Sequence, residues 1–177
     1  SYVRGTIPIN ANAADATSGV KNVTFYLDAI GGTVIGTDTT APYSVNWNTA
    51  TTTDGAHNLY IRVFDNAGNY LDSGATAVTV DNTAPTTATI TAPTQNAYVR
   101  TTIPINVTAA DAIGVKNVTF YLDTIGGTPI GTDATSPYSI TWNTGTTTDG
   151  NHNLYIRVFD NAGNYLDSAA RTITVDN

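Results

Sequence analysis

Residues 57–73 read HNLYIRVFDNAGNYLDS, and the same stretch returns unchanged at residues 152–168. In its first half Leu59, Ile61 and Val63 alternate with Tyr60, Arg62 and Phe64, the period of two that puts an apolar row on one face of a strand. Asp65-Asn66-Ala67-Gly68-Asn69 then interrupts the alternation with turn formers, and sets a glycine where a hairpin needs a left-handed residue. A strand followed by a tight reversal predicts an antiparallel sheet. Its verbatim return predicts that the chain builds that sheet twice.

The duplication extends outward from this stretch. YVRGTIPIN at 2–10 returns as YVRTTIPIN at 98–106, and GVKNVTFYLD at 19–28 returns unchanged at 114–123. The period is about 95 residues, and about four in five aligned positions are identical. One residue is lost where ADATSGV becomes ADAIGV, between strands, where a length change is tolerated. Further alternating rows are Val23, Phe25 and Leu27; Tyr43, Val45 and Trp47; Ile7, Ile9, Ala11 and Ala13; and Val78 with Val80. Trp47 and Trp142 fall in phase with apolar neighbours and so belong to the core. Gly31-Gly32, Ala41-Pro42 and Asp54-Gly55 punctuate the rows, and Pro8 and Pro104 sit early in their strands, where a missing donor does least harm. Six or seven short strands per unit of about 90 residues predict an all-β fold of two tandem antiparallel sandwiches, residues 1–82 and 83–177.

Composition points the same way. All 14 acidic residues are Asp, Lys occurs only at Lys21 and Lys116, and Gln95 is the lone glutamine. The helix-favouring residues are scarce, while Thr, Val, Ile, Tyr, Asn and Gly abound. A net charge of −7 without any basic run excludes a nucleic-acid partner, because phosphate neutralisation needs clustered Lys or Arg. No apolar stretch approaches the roughly 18–20 residues of a membrane span. The chain has no cysteine, so no disulfide staples it. A surface rich in Thr, Asn and Asp and poor in Lys leans towards secretion, and the lack of a signal peptide suggests a mature form or an excised piece.

GVKNVTFYLD, GTDTTAPYSVNWNT, DGAHNLYIRVFDNAGN and VTVDNTAP together resemble the bacterial immunoglobulin-like repeat domains. Those domains occur in tandem in secreted hydrolases, adhesins and large cell-surface proteins. The likeness covers both units, and FDNAGN and VTVDNTAP carry it most specifically. It implies two immunoglobulin-like sandwiches of about seven strands each, at an extracellular or cell-surface location. It also implies a spacer, stalk or binding role without catalysis. Laid out in immunoglobulin-like order A, B, C, C′, E, F, G, residues 87–91 form strand A of the second unit, and the first unit lacks an equivalent N-terminal strand. Either the chain is a slice of a longer array, or a neighbouring molecule donates a strand.

Candidate sites follow from the same topology. The B–C, C′–E and F–G turns share an end with the linker between units, which gathers Asp81, Asn82, Asp111, Asp133, Asp160, Asn161 and Asn164. Asp15, Asp38, Asp65 and Asn66 are the first-unit equivalents. Hard oxygens from several segments suit Ca²⁺ at the interdomain joint. The alternative is turn chemistry alone, since Asp and Asn form Asx turns. Tyr26, Tyr60, Arg62 and Phe64, with Tyr121, Tyr155, Arg157 and Phe159, are expected on the solvent face. There they either stack on sugar rings, pair across strands, or make a lateral contact between chains. Asn22, Asn106 and Asn117 open glycosylation sequons, with Asn22 and Asn117 expected to point outward. His57 and His152, each three residues after an Asp, lack the partners of a catalytic triad and read as satisfied turn histidines.

The function these features suggest is a non-catalytic spacer, stalk or fibre segment of head-to-tail repeats. Its partners are neighbouring repeats or other copies of the same protein. Two alternatives stand beside it. One is a subunit of an extracellular filament assembled by strand complementation or end-to-end contacts. The other is a carbohydrate-binding accessory module of a secreted hydrolase or adhesin, with polysaccharide as partner.

Overall fold

The computed structural model describes residues 1–177 throughout. By its internal contacts the chain divides into two compact units, Ser1–Asn82 and Thr83–Asn177. Both are all-β sandwiches.

In the first unit the strands are β1 (Tyr2–Val3), β2 (Thr6–Ala11), β3 (Val20–Leu27), β4 (Thr33–Asp38), β5 (Tyr43–Asn48), β6 (Gly55–Asp65), β7 (Tyr70–Asp72) and β8 (Thr76–Val80). One sheet runs β1-β8-β6-β3-β4, with β7 added to β6; the other holds β2 and β5 alone. The alternating row read from the sequence fixes the register: Val23 faces Val63, Phe25 faces Ile61 and Leu27 faces Leu59 across β3 and β6. Gly68, with φ of 94°, takes the left-handed place in the reversal after β6. A second close approach is at Gly36, where an added Cβ would lie 2.9 Å from Val45 Cγ1 of the opposing sheet.

The second unit repeats this plan as β9 (Thr87–Ala92), β10 (Ala97–Val99), β11 (Thr102–Ala110), β12 (Val115–Leu122), β13 (Pro129–Asp133), β14 (Ser139–Asn143), β15 (Gly150–Asp160), β16 (Tyr165–Asp167) and β17 (Arg171–Val175). Its large sheet is β10-β17-β15-β12-β13, with β16 on β15, and its small sheet is β14-β11-β9. The chain thus places β9 on one sheet and then crosses to the other, where β10 runs parallel to the last strand. Four strands of two or three residues, β1, β7, β10 and β16, had no periodic signal to reveal them.

Residues 1–82 contain no strand matching β9, and the cores record the difference. In the second unit one continuous cluster joins Ile90, Ile105, Val107, Phe120, Trp142, Ile156, Val158 and Ile173. In the first, the buried residues split into Val23, Phe25 and Tyr43 on one side and Trp47, Val78 and Val80 on the other. Ile105, Ile156 and Val158 are 0% exposed, whereas Ile9, Ile61 and Val63 at the same places are only half-buried. Nearly the same sequence closes its core only where the extra strand lies on it.

Candidate functional site

In each unit the loop carboxylates accept bonds from their own loops. Asp15 Oδ1 accepts the N–H groups of Ser18 at 2.7 Å, Gly19 at 2.8 Å and Thr17 at 3.1 Å. The Ser18 N–H contributes most to holding this carboxyl below its ordinary pKa. Asp111, in the shorter second loop, accepts from Ile113 at 2.8 Å and Gly114 at 2.6 Å. Asp65 takes both the backbone N–H and the side-chain amide of Asn69, at 2.8 and 2.7 Å. Asp160 does the same with Asn164, at 2.8 and 2.6 Å. Asn66 and Asn161 donate to the carbonyls of Gly19 and Gly114, which ties the hairpin after the long strand to the neighbouring loop.

Of the second-unit carboxylates predicted to converge, Asp111 and Asp160 bring ligand oxygens within 4.8 Å of each other. Asp133 does not join them. It caps its own loop, accepting from Thr135 at 3.0 Å and Ser139 at 2.8 Å, and Asp38 does the same with Thr40 and Ser44. The loops of the second unit taken alone thus offer two close carboxylates towards the six to eight hard oxygens that Ca²⁺ takes.

Asn82 and Asn177 have a different task from the ligand role expected of Asn82. Asn82 Oδ1 accepts from Thr49 Oγ1 at 2.8 Å and Gly5 N at 3.3 Å, its Nδ2 donates to the Thr49 carbonyl, and its backbone N–H goes to Asp54. Asn177 repeats these contacts with Thr144, Thr101 and Asp149. Thr49 and Thr144, at the start of single 3-10 turns, are 0% exposed, so each amide meets a donor and an acceptor that water cannot reach. The VDN phrase that closes both units is a structural staple.

Both histidines are fully bonded, to carboxylates further off in sequence than Asp54 and Asp149. His57 Nδ1 lies 2.9 Å from Asp28 and Nε2 lies 2.9 Å from the Thr53 carbonyl; His152 repeats this with Asp123 at 2.7 Å and Thr148 at 2.8 Å. A carbonyl and a carboxylate both ask for an N–H, which suits the doubly protonated ring. The Asp28 contact raises the His57 pKa, and Asp123 does the same for His152. Asp28 is lowered in turn, chiefly by His57. Asp28 and Asp123 adopt φ of 64° and 60°, a backbone state the sequence did not advertise for these residues.

The aromatic row departs from expectation. Tyr26 and Tyr121 project from the face assigned to solvent yet are buried, because their strands lie between two neighbours whose side chains close over them. Arg62 forms two bonds to Asp72 at 2.6 and 2.8 Å and lies 4.2 Å from the centre of the Tyr70 ring. Arg157 repeats this with Asp167 and Tyr165. Phe64 and Phe159 tilt against the same tyrosines. The face is a set of cross-strand pairs, without a flat row of free rings. Tyr70 and Tyr165 were missed because a three-residue strand shows no alternation.

Sequence and structure comparisons agree with this architecture. The bacterial Ig domain family matches residues 1–61 and 85–156. The chain belongs to that family. Among solved structures, fibronectin(III)-like modules of CbhA from Clostridium thermocellum share 30% identity at a TM-score of 0.61, over 98% of this chain and 86% of theirs. A marsupial T cell receptor is similar in fold alone, at 10% identity and a TM-score of 0.62, over 99% of this chain and 70% of that one. The FN1–FN3 domains of chicken CNTN1 likewise share the fold, at 10% identity and 0.59, over 99% and 62%. A comparison with curated protein sequences found no match.

The remaining sites of these bacterial Ig repeats are the sequons. Asn106 is exposed on β11. Asn22 and Asn117 are half-buried, and their Oδ1 atoms are enclosed without a hydrogen-bond partner. They share the face of Thr24 and Thr119, away from the core residues Val23 and Val118, and are half-covered there.

Proposed function

We propose that the chain is a non-catalytic structural module of an extracellular or cell-surface protein, a spacer or fibre segment of head-to-tail Ig repeats. One observation carries the reading: in each unit the first and last strands of the large sheet run parallel. Tyr2 and Val3 pair with Thr79 and Val80, and residues Ala97, Tyr98 and Val99 pair with Ile173, Thr174 and Val175. Tension that reaches this pair shears its backbone bonds together, whereas an antiparallel pair would unzip one bond at a time; in the second unit the force passes first through β9 of the small sheet. The doubled Asp, Asn and His networks support the same role, since they spend their polar groups on fixing loops.

Stretching single molecules of the 177-residue chain by its termini tests this. Two discrete unfolding events are expected, the weaker from the first unit, whose parallel pairing spans two residues rather than three. A featureless extension at low force refutes the mechanical role.

A further inference from the structure

We infer that His57 is a proton-operated latch on the Asn82 staple: its doubly protonated ring holds the Thr53–Asp54 peptide in place, and loss of one ring proton loosens Asn82. His152 is the same device in the second unit. This goes beyond the spacer role and is tested separately from it.

The ring joins a fixed partner to a movable one. Asp28 is fixed: its N–H donates to the Asn58 carbonyl at 2.7 Å, and its Oδ1 accepts the Asn58 N–H at 3.1 Å. Those two bonds hold it against β6 at a φ of 64°, a state few non-glycine residues adopt. Thr53 is the movable partner, an exposed residue in the turn that leads into β6. Its carbonyl meets His57 Nε2 at 2.9 Å, while Nδ1 meets Asp28 Oδ2 at 2.9 Å. Carboxylate and carbonyl oxygens accept and do not donate, so both bonds persist only while both ring nitrogens carry hydrogen. A neutral ring has one N–H, and the carboxylate keeps it, because the charged acceptor binds more strongly. The Nε2 lone pair then faces the Thr53 oxygen, and that carbonyl turns towards water.

The planar peptide transmits the change. The Thr53 carbonyl and the Asp54 nitrogen lie in one plane, so turning the carbonyl rotates Asp54 about its φ. Asp54 Oδ1 accepts the Asn82 N–H at 2.8 Å and Asn82 Nδ2 at 3.2 Å. Asn82 is in turn the acceptor for Thr49 Oγ1 and the Gly5 N–H. The second unit repeats each link although Val34 and Ala56 have become Pro129 and Asn151. There Asp123, at a φ of 60°, exchanges bonds with Asn153; His152 reaches the Thr148 carbonyl at 2.8 Å; and Asp149 accepts the Asn177 N–H at 2.9 Å.

No neighbouring cation competes for the site. The charges on the turns beside the ring are Asp28 and, one residue past Thr53, Asp54; both are negative and neither drives the proton off. β8 sets Val78 opposite His57. The hollow of about 490 Å³ at its side, walled by Asn46, Trp47 and Asn48, holds no charged side chain but Asp28 and His57. The Asp28 bond, opposed by burial, raises the ring's pKa, so release falls above the ordinary value of about 6.5.

Nuclear magnetic resonance of the whole chain from about pH 5 to about pH 9 tests the latch. The His57 ring signals give its midpoint, and the Asp54 amide and the Asn82 side-chain amide should shift at that same midpoint. Exchange of the Asn82 backbone N–H should quicken by about tenfold beyond its ordinary pH dependence as the ring deprotonates. Asp28→Asn keeps an acceptor for Asn58 and suits the left-handed backbone, but removes the charge. It should lower the ring midpoint by about one pH unit, and the Asn82 transition should move down with it. His57→Gln should abolish the Asn82 transition while Asn177 still follows His152. The Asp28 variant leaves the ring in place, so the test does not depend on the glutamine variant folding. A ring midpoint at or below the ordinary value, an Asn82 transition that ignores the moved midpoint, or one that survives His57→Gln overturns the inference.

Discussion

Truncating one side chain of β9 should turn the second unit into a likeness of the first. Ile90 is 3% exposed and belongs to the continuous core with Ile105, Ile156 and Val158. Ile90→Ala removes three buried carbons and leaves a cavity, which costs about 2–5 kcal/mol at a site that relaxes only in part. The lower figure already corresponds to roughly a 30-fold change in an opening equilibrium. Native-state hydrogen exchange on the intact chain reads this directly at Leu154 and Val158, which are 1% and 0% exposed. Their protection should fall by about 30-fold or more, towards that of Leu59 and Val63 in the first unit. Thr89→Ala is the control on the same strand; its side chain is exposed, and the change should stay within about 0.5 kcal/mol. If Ile90→Ala lowers protection less than about tenfold, or no more than Thr89→Ala does, then β9 is not what closes the core.

Close approach of the two sheets predicts that Gly36→Ala and Gly131→Ala each destabilise their unit by about 1–3 kcal/mol in urea unfolding. The Gly36 change should cost more: its added Cβ meets the stiff Val45 at 2.9 and 3.1 Å, whereas the Gly131 Cβ meets first the movable end of Ile140. Asn177→Ala leaves the Thr101 N–H without its acceptor and takes one of two partners from the enclosed Thr144 hydroxyl, so it should cost about 1–3 kcal/mol, equally with calcium or chelator present. Acidity should act through the histidine pairs. The raised pKa values of His57 and His152 give a contribution fully present below about 6.5 and lost as pH climbs through the folded-state values. Asp28, lowered by His57, contributes above about 4 and loses its share as pH falls through its depressed value. Urea midpoints should therefore peak between these limits, and the double variant His57→Gln with His152→Gln should flatten the alkaline side; an unchanged slope there refutes the assignment.

Long strands were legible because alternation over six or more residues leaves few other folds for Val23, Phe25 and Leu27 or for Leu59, Ile61 and Val63 to serve. That residues 1–82 hold no match for residues 87–91 was legible too, because a duplication allows the comparison. Pairings set by tertiary reach were not. Nothing between Asp28 and His57 announces that 29 residues close into a hydrogen bond, and the nearby Asp54 was the more obvious partner. Period two assigns a face but not its cover, so it placed Tyr26 outward without foreseeing that flanking strands would bury it. Asn82 offered the same atoms to a cation or to a buried threonine, and only the fold brings Thr49 within reach of them.

The two units together make a controlled comparison within one chain. They share most residues and the same loop networks, so the half-open state of Ile61 against the sealed state of Ile156 reflects one strand and little else. In repeat proteins stability adds up unit by unit with terms between neighbours. Urea unfolding followed by amide exchange should therefore resolve two transitions, with Leu154 and Val158 protected longer than Leu59 and Val63. Equal protection in the two units would show that closure of the core over β15 does not set their stability.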